Sequence, residues 1–193
     1  MKSISPKEFW IAAALVLLML ATRSNLISHF GTNLFLPDAS MAVFLLAGFF
    51  FASRLFFGAL MVLAVAIDYV AIAKFGVNDY CVTPAYWGLI PTYAVLWLGG
   101  RFYARSHQFT GASLGKFAAI SLAAVSAAFL ISNVTFYLLA GYFAQMSALD
   151  YASAVSKYYF AYVAGAAVYL LVATLIYAVA HTRAEAKRKQ HGG

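Results

Sequence analysis

Apolar runs long enough to cross a bilayer alternate with short polar breaks along nearly the whole chain, and the breaks define the elements. The first break precedes any run. Ser5, Pro6 and Glu8 read as an N-cap, a first-turn proline and a capping-box partner, with Ile4 stapled to Phe9. A first span of about 6–22 follows. From Arg23 to Ser40 the chain carries His29, Gly31, Asn33, Pro37 and Asp38, too polar and irregular for one crossing helix, and it reads as a long outer loop or re-entrant cap. The apolar stretch Ala39 to Ala73 is interrupted at Ser53-Arg54 and at Asp68. Read as one span plus a remainder, it would bury Arg54 at a cost of about 2.5–3.5 kcal/mol. Two spans of about 39–52 and 55–74 avoid that cost, the first so short that tilt or local thinning is implied. Thr83-Pro84 starts a fourth span of about 84–100, expected to kink at Pro91 where an amide is missing. Spans of about 114–142 and 150–180 complete six, and 181–193 is a basic tail.

Composition makes this an all-α membrane protein. Of 193 residues, 64% are hydrophobic and only 10% charged, a balance that no water-soluble domain of this size tolerates on its surface. No cleavable signal is apparent, and the first apolar run reads as a retained span. The net charge of +7 would suit nucleic acid, but the cationic residues sit beside apolar segments, where they act as topology markers; no nucleic-acid partner is expected. With the N-terminus inside, ten Lys and Arg fall on the cytoplasmic side and three (Arg23, Lys74, Lys157) outside. Both termini are therefore expected in the cytoplasm of an inner-membrane protein. No glycine-rich phosphate loop, paired-cysteine zinc spacing or GxSxG is present, which argues against a built-in ATPase.

The candidate chemistry gathers at the outer face. Cys81, the only cysteine, lies in NDYCVTPAYWGLIPTYAVLW among Tyr80, Tyr86, Trp87, Tyr93 and Trp97. Placed just before a helix start it would be favoured as a thiolate, the form that binds soft metals; the bland alternative is a small inert hydrophobe. Asp68 inside an apolar span needs a partner, water or a proton, supplied by a ligand or by packing near Lys74. Asn133, between Ser132 and Thr135, either faces the same cavity or ties helices together. His29 is either a ligand or a loop histidine with a structural bond. Tyr151, Tyr158, Tyr162 and Tyr169 share one helical stripe, suited to a large ligand or to aromatic packing. Gly111, Gly115, Ala119, Ala123 and Ala127 form a small-residue ridge expected to pack internally, the alternative being a surface for a partner membrane protein. Cys81 and His29 are too few for a closed zinc site, yet one thiolate suffices as axial ligand to a metal already held in a macrocycle.

Length, six predicted spans, cytoplasmic termini and a long first outer loop resemble the S-components of energy-coupling-factor (ECF) vitamin transporters. NDYCVTPAYW, with Cys81 ahead of the fourth span, is similar to the solitary BtuM-type cobalamin transporters. The resemblance implies an S-component-like bundle that captures cobalamin, or a related corrinoid, between outer loops and helix ends. It implies Cys81 as axial cobalt ligand, able to displace cyanide from cyanocobalamin, with Tyr80, Tyr86, Asp68, His29, Asn133, Tyr158 and Tyr162 as candidate ligand contacts. One departure concerns partners. S-components typically dock on an ECF coupling module through an alanine pair four apart on the first helix, whereas Ala12, Ala13 and Ala14 are followed at that spacing by Val16, Leu17 and Leu18. The alternatives are a membrane sensor or assembly module without a vitamin ligand, and a membrane enzyme using Cys81 as nucleophile.

Overall fold

The computed structural model describes residues 5–23 and 36–191, and within them the chain is all-helical with no strand. The expectation for His29 lies outside the described residues. Seven α-helices are described: α1 (Pro6–Thr22), α2 (Ser40–Phe50), α3 (Arg54–Phe75), α4 (Leu89–Ala104), α5 (Gly111–Leu139), α6 (Ala148–Ser156) and α7 (Tyr159–His191). A short 3-10 helix, Pro84–Gly88, leads into α4.

The helix ends follow local chemistry. The Ser5 hydroxyl accepts from the Glu8 amide at 3.3 Å and the Glu8 carboxylate accepts from the Ser5 amide at 2.8 Å, closing the capping box of α1. Ser53 caps α3 by accepting from the Phe56 amide, and α3 ends at Gly76, whose φ of 65° lies in the left-handed region that glycine adopts without a Cβ penalty. Asp38 opens α2 by accepting from the Ser40 amide at 2.8 Å.

The second element departs from a simple span. α2 has 11 residues, about 16 Å of helix, half the hydrocarbon thickness. It is encased: Ala42, Val43, Phe44, Leu45 and Ala47 are fully buried, and α1, α3, α4 and α7 all pack on it. Its partner α4 comes so close that a Cβ on Gly48 would strike the Trp97 carbonyl and one on Gly100 the Leu45 carbonyl. Small residues that let backbones approach are a recurrent device for packing helices where burial against lipid supplies no drive.

Three other expectations change. Pro91 lies in the first turn of α4, where its amide is not needed, so it marks a start and not a mid-helix kink. The last span divides after Ser156, whose hydroxyl bonds the Ser153 carbonyl at 2.8 Å in competition with the helix ladder, and α7 then runs on through the basic tail. On the α5 ridge, Gly111, Gly115, Ala119 and Ala123 are exposed and Ala127 is half-buried, so the ridge is not the internal seam expected of it.

α3, α5 and α7 are long and apolar enough to cross a membrane, and large apolar side chains such as Leu55, Leu171, Leu175 and Ile176 face outward from the described residues. That surface is compatible with a membrane protein. At the end where α4 finishes, the His107 Nδ1 sits 2.8 Å from the Tyr103 hydroxyl and Nε2 sits 3.1 Å from that of Tyr177. Phe49 closes on the same ring, edge to face, so this end is plugged with aromatics. A cavity opens at the other end.

Candidate functional site

Arg23 is the hub of that end. It follows directly on α1 and is only 6% exposed. A guanidinium this far from water needs a full set of acceptors. Its Nε and Nη2 form a two-pronged fork with Asp68 of α3 at 2.8 and 2.7 Å. Its Nη1 donates to the Ser40 hydroxyl at 3.0 Å and to the Tyr93 hydroxyl at 2.6 Å, while Asp38 stands 3.7 Å away. Tyr93 is held in turn by stacking on Phe44 of α2 at 4.2 Å. One cation thus ties α1, α2, α3 and α4 together.

Beside this network lies a cavity of about 340 Å³ whose lining includes Arg23, Asp38, Asp68, Cys81, Tyr86 and Tyr93. Tyr86, on the 3-10 turn, donates to Asp68 at 2.8 Å. Cys81 is exposed and belongs to the loop after α3. Asn78 shapes that loop by accepting from the Tyr80 amide at 2.7 Å, and a turn follows in which the Val82 amide reaches the Asp79 carbonyl at 2.7 Å. Tyr80 stacks on Tyr142 at 4.4 Å, and the Tyr142 hydroxyl donates to the Tyr80 carbonyl at 3.2 Å. The loop carrying the sulfur is therefore pinned on both sides, through Tyr80 to the end of α5 and through Tyr86 to α3.

The electrostatics of Cys81 reverse the sequence expectation. The helix that begins at Pro84 is a five-residue 3-10 turn, and its first amides are taken up locally by Thr83, whose hydroxyl accepts from Ala85 at 3.2 Å. Burial, and then the nearby Asp68 carboxylate, push the Cys81 thiol above the ordinary thiol range. In the free protein the group is a thiol.

The other expected contacts separate. Asp68 and Tyr86 line the cavity with Cys81, and Tyr80 flanks it from the loop. Asp68 is paired with Arg23, not with Lys74. Asn133 does not line the cavity, although its neighbours Ser132 and Thr135 do. Its amide donates to the Phe129 carbonyl at 2.8 Å and its oxygen accepts from Tyr151 at 3.3 Å, so it joins α5 to α6. Tyr158 lies outside the lining, where Lys157 sits 5.0 Å over its ring, and Tyr162 packs edge-to-face on Phe129 at 5.2 Å. The tyrosine stripe is divided between α6 and α7, and Tyr169 donates to the Pro37 carbonyl at 2.6 Å.

Sequence reasoning missed Arg23, Ser40, Asp38 and Tyr93 as parts of the site. By position alone Arg23 reads as a topology marker. The usable signal was an unmatched pair of opposite charges, Arg23 right after one apolar helix and Asp68 inside another.

Among the described residues no group of three His, Cys, Asp or Glu gathers to hold a bare metal ion. A second hollow of about 210 Å³ between α5 and α7 is lined by Leu, Val, Ala and Phe with Ser121 and Thr174, and carries no ionisable group. What the cavity offers is the exposed Cys81, the two tyrosines Tyr86 and Tyr93, and the carboxylates Asp38 and Asp68 beside Arg23, in an otherwise largely apolar lining. No protein-family profile matches the chain, and no curated protein matches it.

Proposed function

We propose that this protein is a multi-pass inner-membrane substrate-binding transporter for cobalamin or a related corrinoid, of the BtuM-like solitary S-component type. The carrying observation is the exposed Cys81 in the lining of a largely apolar cavity that also holds Arg23, Asp38 and Asp68, on a loop fixed through Tyr80 and Tyr86. A thiolate is a good soft ligand for cobalt, and a corrin brings the other in-plane ligands with it, so one protein sulfur is enough. A corrinoid is larger than this open cavity. The macrocycle lies across the mouth with cobalt at Cys81, and one edge with its amide fringe enters toward Asp68 and Tyr86.

Because Cys81 rests as a thiol, coordination is an exchange. With cyanocobalamin, the Co–C bond breaks, a Co–S bond forms, and the thiol proton leaves with cyanide as hydrogen cyanide; no electron changes hands. Six passes are assigned to α1, α2, α3, the 3-10 turn with α4, α5 and α7, with α6 lying along the outer surface. Both termini are then cytoplasmic, and removing buried Arg23 from the outer loops leaves only Lys74 and Lys157 there, which sharpens the charge asymmetry. The nucleophilic-enzyme alternative needs an activating base, and among the described residues the lining of the cavity holds no histidine while its carboxylates are engaged by Arg23 and Ser40.

The test is an absorption spectrum of protein purified from cells grown with cobalamin, beside Cys81→Ser. The native protein is expected to carry a corrinoid with a thiolate-perturbed spectrum, and the substitution to abolish that perturbation. A colourless native protein that also fails to bind added cobalamin overturns the proposal.

A further inference from the structure

The charged groups lining the outer cavity are one arginine and two aspartates, Arg23, Asp38 and Asp68. The arginine does not present its charge to the cavity. Its side chain is 7% exposed, and Nε, Nη1 and Nη2 are all engaged by Asp68, Ser40 and Tyr93. Asp68 is in turn covered, its Oδ1 and Oδ2 accepting from Arg23 and Oδ2 also from Tyr86. Asp38 is different. Its side chain is 48% exposed; Oδ1 accepts from the Ser40 amide and hydroxyl, while Oδ2 stands off Arg23 at 3.7 Å. Among the charged groups of this otherwise largely apolar lining, acids thus outnumber the base, and Asp38 is the one most open to an incoming molecule.

We infer that the cavity selects corrinoids whose peripheral side chains are amides against those bearing carboxylates, and that Asp38 sets the preference. This rests on the corrinoid reading of the site. A primary amide donates an N–H to Asp38, whereas a carboxylate brings like charge and no proton to share. The cationic cobalt core of the same molecule is drawn by that charge, so the site favours a positive centre with neutral edges. An engaged Arg23 cannot compensate by pairing with a ligand acid, because each nitrogen it would use already holds a partner. Discrimination built on repulsion of the wrong ligand is a common route to specificity.

The experiment is equilibrium dialysis of the full-length protein in detergent with two cobalt corrins of the same ring, one carrying seven amides and one seven carboxylates. The amide form is expected to bind at least about tenfold more tightly, and the gap to narrow as salt screens the repulsion. Asp38→Asn keeps an acceptor for Ser40 and removes the charge, and is expected to raise affinity for the carboxylate form. Equal binding of both corrins by the native protein overturns the inference while leaving corrinoid capture standing. A native preference that persists in Asp38→Asn removes the role given to Asp38. Should that variant fail to fold, the salt dependence of the native preference decides, and a preference indifferent to salt overturns the inference. Binding of neither corrin rejects the corrinoid reading and this inference together.

Discussion

Arg23 and Cys81 carry most of the physical weight at the residue scale. The Arg23 fork to Asp68 is buried on one side and only slightly open on the other, so removing one partner strands a charge. Arg23→Met is expected to cost about 3–5 kcal/mol, read as a large drop in unfolding temperature in detergent. The double variant Arg23→Met with Asp68→Leu should recover much of that loss, because the only charge left without its partner is Asp38, which is half exposed. A single variant as stable as the native protein would show that the network contributes little. For Cys81 the sign follows from its raised thiol: the thiolate is scarce at neutral pH and grows only above the usual thiol range. The rate of alkylation by iodoacetamide should therefore keep climbing at alkaline pH. A rate already level near neutrality would contradict the raised thiol. The cysteine's position was legible in the sequence, but its protonation was not, since the desolvation that raises it, and then the Asp68 carboxylate, come from residues that only the packed structure brings near.

On the element scale the decisive feature is the contact between α2 and α4. Gly100 and Gly48 face carbonyls of the opposite helix so closely that an added methyl forces the pair apart. Gly100→Ala should destabilise by at least about 1–3 kcal/mol, the usual range for overpacking a tight core. Gly115 on α5 has nothing within 4 Å of where a Cβ would stand, so Gly115→Ala should be neutral or mildly stabilising through helix propensity. Thermal unfolding of the two variants side by side checks both claims, and similar effects would undo the contrast. The capping box of Ser5 and Glu8 and the polar break at Ser53-Arg54 made the starts of α1 and α3 readable from local residues. The shortness of α2 was readable too; its encasement was not, because an apolar helix looks the same whether lipid or protein surrounds it.

For the whole molecule, the two ends differ: a cavity lined in part by Arg23, Asp38 and Asp68 at one end, an aromatic plug of Phe49, Tyr103, His107 and Tyr177 at the other. Under the proposed topology the plug faces the cytoplasm. Reporter domains fused at either end of the chain should both report a cytoplasmic location, and a fusion in the loop at 77–83 an outer one. A periplasmic signal from one terminus alone would require an odd number of crossings, and from the N-terminus it would put Cys81 on the side away from an arriving nutrient.

The all-helical character, the breaks between apolar runs and the asymmetry of basic residues were determined by the sequence itself, because hydropathy, capping and charge are properties of neighbours along the chain. Tertiary structure alone decided that Arg23 meets Asp68 and Tyr93, that Asn133, Tyr158 and Tyr162 stay out of the cavity lining, and that Cys81 shares that lining with Asp68. Those outcomes depend on how each helix is rotated about its axis. In a chain apolar nearly all round, no stripe of polarity fixes that rotation until the helices pack.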